Sequence, residues 1–147
     1  MYKKIIVALE NSHADEAVVP HITALALQMG AKLILLHVAD GWAARNFNQL
    51  KLTESAEMKA DRDYLEATAA RLRGAGLDVA VELALGNPPT EILRAAEAQH
   101  CDLIAMTSHG HKWLADLFLG STIDKVRHNT SIPILVVRAG GGPAKPV

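Results

Sequence analysis

Two clusters of small and polar residues at a fixed interval carry the chemistry legible in this chain. Met106-Thr107-Ser108-His109-Gly110 follows an apolar run, and nine residues later stands Gly120-Ser121-Thr122. A glycine after a strand lets backbone approach a ligand closely. A Gly-Ser-Thr step that opens a helix offers unpaired N–H groups and the positive end of the dipole, an anion site. The two hydroxyls add donors. This is phosphate-binding chemistry without the lysine of a P-loop. Spacing alone leaves a plainer alternative open, in which Gly120 ends a preceding turn and Ser121 is an ordinary helix cap.

The competing motifs fail. No GxxxxGK[ST] is present. Gly74-Ala75-Gly76 resembles the start of a dinucleotide fingerprint, but it precedes a strand where the fingerprint must follow one, and the third glycine is missing. No Ser-His-Asp set, GxSxG or carboxylate pair can be argued from spacing, so no catalytic residue is assigned. Phosphoryl transfer would need a metal and a group orienting the nucleophile, for which only Glu10 and Asp116 offer themselves. His109 and His111 are two apart and supply too few ligands for a metal. With Lys112 they form either a basic lip beside the anion site or a solvated loop. His37 at a strand end is expected to be half-buried with a backbone partner. Lys125, Arg127 and His128 read as a solvated face near a helix's negative end. Trp42, Phe47 and Trp113 either cover the ligand or a dimer contact, or anchor loops.

Composition sets the frame for these residues. The chain has 147 residues, half of them hydrophobic and only 4% aromatic. It is long enough to bury about 70% of its unfolded surface in one domain. Fifteen basic and sixteen acidic residues leave a net charge of -1, which gives no footprint for nucleic acid or an anionic membrane. Cys101 is the single cysteine, so an intramolecular disulfide and a Cys-based zinc site are excluded, and it is expected to be inert packing. The opening apolar run Ile5 to Leu9 is too short for a signal peptide or a membrane span, which implies a cytoplasmic protein.

The elements that must position the clusters follow from periodicity. Apolar runs at 3–9, 32–38, 78–85, 102–107 and 133–138 read as strands. Helical patterns lie between them. Ser12-His13-Ala14-Asp15 fits a capping box before a helix with Val18, Ile22, Leu25 and Met29 on one face, a kink at Pro20 and a stop at Gly30. Thr53 to Ala75 forms a long helix ended by Gly74 and Gly76. Asn87 caps a helix with Pro88 at its first position. Gly120 to Asn129 is the last helix. Residues 39–52 form a long loop, and 140–147 a flexible tail after a domain spanning 1–139. Strands alternating with helices imply an α/β fold, a doubly wound and mostly parallel sheet covered on both faces. In such sheets ligands bind at the strands' carboxyl ends, where the strand order reverses.

The chain resembles the universal stress protein family over nearly its whole length. Three stretches carry the resemblance: Ile5-Ile6-Val7-Ala8-Leu9-Glu10-Asn11-Ser12; Leu36-His37-Val38; and the run from Asp102-Leu103-Ile104-Ala105-Met106 through Gly120-Ser121 to Pro133-Ile134-Leu135-Val136-Val137. Nucleotide-binding members carry G-x2-G-x9-G-[ST] in the third. The resemblance implies a five-stranded sheet of order 3-2-1-4-5 and a dimeric regulatory module of the stress response that binds ATP or AMP, any Mg2+ being carried by the nucleotide. It implies a homodimer through the strand Pro133 to Arg138 and an unidentified regulatory protein partner. By motif position, Gly110, Gly120 and Ser121 hold phosphates and Thr122 donates an amide. His109 belongs to the basic lip, Val38 lines the adenine pocket, and Ala8 and Met106 lie nearby. Glu10 takes the place of an adenosine-facing Asp. Thr107 replaces the first motif glycine. It is expected either to strain at positive φ or to crowd the phosphates, and a nucleotide-free scaffold is the alternative. Asn11 replaces the usual glycine of its turn and tolerates the left-handed region.

Overall fold

The computed structural model describes residues 1–39, 56–108 and 115–139; of residues 115–120 only the helical backbone is described. Five strands form one sheet: β1 (Lys4–Leu9), β2 (Lys32–Ala39), β3 (Val79–Leu85), β4 (Leu103–Ser108) and β5 (Ile134–Arg138). Their order is β3-β2-β1-β4-β5, and all four pairings are parallel. The expected sheet is therefore present, with no antiparallel member among the described residues. β1 is central, and its Ile5, Ile6 and Val7 are fully buried. A strand covered on both faces must be apolar throughout, which is why this segment shows no alternation.

Among the described residues four helices cover the sheet: α1 (Asp15–Met29), α2 (Ala56–Gly74), α3 (Pro88–Ala98) and α4 (Ala115–His128). One core layer joins Val18, Ile22 and Ala26 of α1 and Leu65, Ala69 and Leu72 of α2 to Ile5, Val7, Leu33 and Leu35. The other joins Ile92, Ala95 and Ala96 of α3 and Val126 of α4 to Ile6, Ile34, Leu36 and Met106. The first two crossovers thus run on one face and the last two on the other. Right-handed crossovers require this when the chain moves first to one side of β1 and then to the other.

Local signals explain the element ends. Gly30 terminates α1 at φ 65, in the left-handed conformation that glycine adopts without cost. Asn87 Oδ1 accepts from the Thr90 amide at 3.3 Å and the Thr90 hydroxyl at 2.9 Å, with Pro88 and Pro89 opening α3. His100, at φ 55, stands just beyond the end of α3. α1 runs unbroken through Pro20. Its apolar face is Val18, Val19, Ile22 and Ala26, while Met29 is exposed. α2 is described from Ala56, and residues 53–55, the 39–52 loop beyond Ala39 with Trp42 and Phe47, Trp113, and the 140–147 tail lie outside the described residues.

The last helix departs from expectation. α4 begins at Ala115, not Gly120. Ala115 to Leu119 contains good helix formers, and one interior glycine costs only about 1 kcal/mol against them. Burial pushes the Cys101 thiol up to about 11, in keeping with inert packing. Asn87→Ala should lower stability by about 1 kcal/mol in urea unfolding, because it leaves the Thr90 amide without its cap.

Candidate functional site

A cavity of about 270 Å³ opens at the carboxyl ends of β1, β2 and β4. Its wall is Ala8, Leu36, Val38 and Met106 from the sheet, Pro88 and Ile92 from α3, and Thr122 and Ile123 from α4; Leu9, Glu10, His37 and Thr107 complete the rim. The site lies where the order reverses, between β1 and β4. Their paired register runs from Ile5↔Leu103 to Val7↔Ala105, and the cavity opens beyond it. The volume falls just under the roughly 300–1,000 Å³ of drug-sized pockets. The lining is mainly apolar, and Glu10 and His37 are its titratable members. Such a space suits a planar, weakly polar group of nucleoside size, with charged parts outside the lip.

Of the residues singled out by sequence, Ala8, Glu10, Val38, Met106, Thr107 and Thr122 converge on this cavity. Gly120 and Ser121 lie in the second turn of α4. This corrects the expectation that they open a helix: an amide there is directed at the carbonyl four residues back, not at a ligand. His109 and Gly110 lie outside the described residues, as do His111 and Lys112. Sequence reasoning did not assign Leu9, Leu36, His37, Pro88, Ile92 or Ile123 to the cavity. Leu36 and His37 were legible through their neighbour Val38, since a strand end presents consecutive residues to a crevice above it. Pro88, Ile92 and Ile123 come from helices whose placement depends on tertiary packing.

Thr107 does not carry the first of its two expected costs, backbone strain. It lies in β4 and is not among the described residues with positive φ, so its backbone is unstrained. In register with Val137, it shares the face of Ala105, against the α1 and α2 layer. Strand alternation therefore turns its side chain away from the face of Ala8 and Met106. Its hydroxyl is buried and has no hydrogen-bond partner among the described residues. Asn11 meets its expectation, with φ 57.

A buried polar network holds the rim on the opposite side of the sheet. Asp15, 2% exposed, accepts from the amides of Glu10 at 2.9 Å and Asn11 at 2.8 Å, and from the Tyr64 hydroxyl at 2.7 Å. The expected capping box is therefore replaced. Ser12 Oγ takes the Ala14 amide at 3.2 Å, while Asp15 passes over Ser12 to the turn before it. A first-turn side chain points back toward its helix N-terminus, and left-handed Asn11 lets neighbouring amides converge on that carboxylate. Asp61 of α2 accepts from Asn11 Nδ2 at 2.9 Å and lies 3.3 Å from His37 Nε2. His37 Nδ1 is 2.8 Å from the Leu9 carbonyl, which matches the expected backbone partner. A carbonyl only accepts, so this nitrogen carries a proton. The sequence signal for Asp61 was its place in the stripe Met58, Leu65, Ala69 and Leu72, where a carboxylate is out of keeping. Burial first, and then the hydrogen bond to Asp15, push the Tyr64 phenol well above its usual range.

Among the described residues no group of three His, Cys, Asp or Glu side chains can hold a metal ion, and no helix is long and apolar enough to cross a membrane. A model of the universal stress protein family matches residues 1–138. The chain belongs to that family. It is 32% identical to universal stress protein MJ0577 of Methanocaldococcus jannaschii over 94% of this chain and 96% of that protein. It is 31% identical to a universal stress protein of Thermus aquaticus over 94% and 100%. The solved structure of MJ0577 superposes with a TM-score of 0.79 at 29% identity, covering 97% of this chain and 99% of that one. A universal stress protein solved in complex with cAMP gives 0.68 at 20% identity, covering 92% and 96%. One from Archaeoglobus fulgidus in complex with dAMP gives 0.67 at 18%, covering 92% and 98%. These last two share the fold.

Two outcomes follow for this family member. Thr107→Val keeps the shape and removes the unpartnered hydroxyl, so the urea midpoint should rise by the equivalent of about 1 kcal/mol. Below pH 10 the Tyr64 phenol is neutral in folded and unfolded chains alike. Above it the unfolded chain ionises while the folded chain keeps its proton, so stability falls as pH rises toward the raised folded value. Tyr64→Phe should flatten that alkaline decline, read as melting temperature against pH from 9 to 11.

Proposed function

We propose that this chain is a homodimeric module that binds an adenine nucleotide, ATP or AMP, and alters its affinity for a regulatory partner when occupied. The observation that carries the reading is the mainly apolar cavity at the switch point, into which Ala8, Val38 and Met106 converge with Glu10 at the rim. The base and ribose would occupy this space, with Val38 beside the base and Glu10 toward the ribose. Phosphates would lie beyond Thr107 and Thr122. The adenine nucleotides named in the dAMP and cAMP complexes of family members support the same ligand class. A cytoplasmic setting accords with the balanced charge and the lack of disulfide chemistry in the chain. For the dimer, β5 is an edge strand, and its Val136 is 42% exposed, an apolar side chain on an open margin. A ligand acts as a signal only through differential affinity for two conformations, and the rim contributed by β4 and α4 is where those would differ.

A nucleotide-free scaffold is the second reading. One observation favours it: α4 runs unbroken through Gly120, Ser121 and Thr122, directing toward the helix the amides that would meet a phosphate. Titration decides between the two. Calorimetry with AMP and ATP should give saturable heat with a Kd below about 1 mM, or roughly 4 kcal/mol of binding free energy. No heat and no thermal shift at millimolar nucleotide would leave the scaffold. Thr107→Gly should keep the affinity within about threefold, because that side chain turns to the other face; a tenfold rise, about 1.4 kcal/mol, would mean that it obstructs the site.

A further inference from the structure

We infer that Asp61 is a positioning residue of the cavity: from α2 it grips the rim formed by Leu9, Glu10 and His37, and thereby sets nucleotide affinity. The inference deepens the nucleotide reading and rests on it. The described β1–β4 register extends to Val7↔Ala105, whereas β1 and β2 stay in register to Leu9↔His37. The opening of the crevice therefore leaves the last residues of β1 supported by a strand on one side. A rim that must keep its shape there needs support from elsewhere.

The polar network supplies it. Asp61 faces His37 at 3.3 Å, and His37 holds the Leu9 carbonyl at 2.8 Å. Asp61 also holds Asn11 at 2.9 Å through its side chain, and the neighbouring amides of Glu10 and Asn11 end on Asp15. Leu9, Glu10 and His37 all line the cavity, so among the described residues the partners of Asp61 are a lining residue, His37, and Asn11, the neighbour of another.

Packing alone gives no reason for a carboxylate here. The Asp61 side chain is only 10% exposed, on a helix already anchored by Met58, Leu65, Ala69 and Leu72. A buried carboxylate with polar partners is generally no more stabilising than apolar side chains of similar volume. What it does provide is directional hold on two particular partners, and both partners belong to the rim or its turn.

The experiment is calorimetric titration of the whole chain and its variants with AMP and ATP, at a temperature where each is folded by circular dichroism. Asp61→Ala should weaken binding about tenfold or more. Asp61→Asn should stay within about threefold, because its amide offers Asn11 an oxygen and His37 a donor. Leu72→Ala, in the same core layer at the far end of α2, should lower the melting temperature yet leave affinity within about twofold. An Asp61→Ala affinity within about twofold of wild type overturns the inference, and so does an equal loss in Leu72→Ala. If Asp61→Ala does not fold, Asn11→Gly replaces it, since glycine keeps the left-handed turn and drops only the tether. A loss of about threefold or more then upholds the role, and a smaller one overturns it. If the wild-type chain binds neither nucleotide, the ligand reading fails by itself. The grip is then read from hydrogen exchange. The Glu10 and Asn11 amides should exchange about tenfold faster in Asp61→Ala, or in Asn11→Gly, than in Leu72→Ala, and equal rates overturn it.

Discussion

β1 and β4 are neighbours in the sheet, yet the chain leaves them toward opposite faces. α1 follows β1 into the layer shared with α2, while α4 follows β4 into the layer shared with α3. Two adjacent strands whose continuations diverge cannot have their ends covered by a common connection. The crevice is a consequence of chain path before any side chain is specified. The side chains then decide its character: small Ala8, branched Val38 and unbranched Met106 leave an apolar space that the central strands keep rigid.

That space has a polar counterpart through the sheet. Leu9 and His37 form a row across the strand ends, and Thr107 of β4 lies on the same face of the sheet. His37 and its partners tie the row to α2, and Asp15 ties the following turn to α1. The amides of Glu10 and Asn11 are thus already committed to a carboxylate of the same chain. Those two amides are therefore spent within the chain. In this universal stress protein chain the crevice on one face of the sheet is therefore backed by a closed, self-satisfied polar network on the other.

The sequence made the sheet class legible because strand runs without alternation, each followed by a helical period, admit few arrangements. Gly30, Asn87 with Pro88, and left-handed Asn11 were legible because each depends on a local backbone requirement. The strand order came through resemblance and was met in full. Ala8, Val38, Met106 and Thr107 could be placed because strand ends at a switch point are defined by topology. The start of α4 could not, since a glycine inside a helix and one before it differ by little free energy in sequence terms. The face of Thr107 needed the register with Val137. The contacts of Asp61 with Asn11 and His37 span distant segments, and no period in the chain encodes them.

The pairing of Ile5 with Leu103 joins residues nearly a hundred positions apart. Parallel neighbours of this kind cannot meet until everything between them has been made and folded back. During synthesis β1, α1, β2, α2 and β3 can associate first, with one flank of the central strand still bare. The ligand-sized hollow is absent from that half-built sheet, because one of its walls has not yet emerged. The site is thus among the last features the growing polypeptide acquires, and a truncated product would expose the apolar flank of β1 where the finished molecule has a pocket.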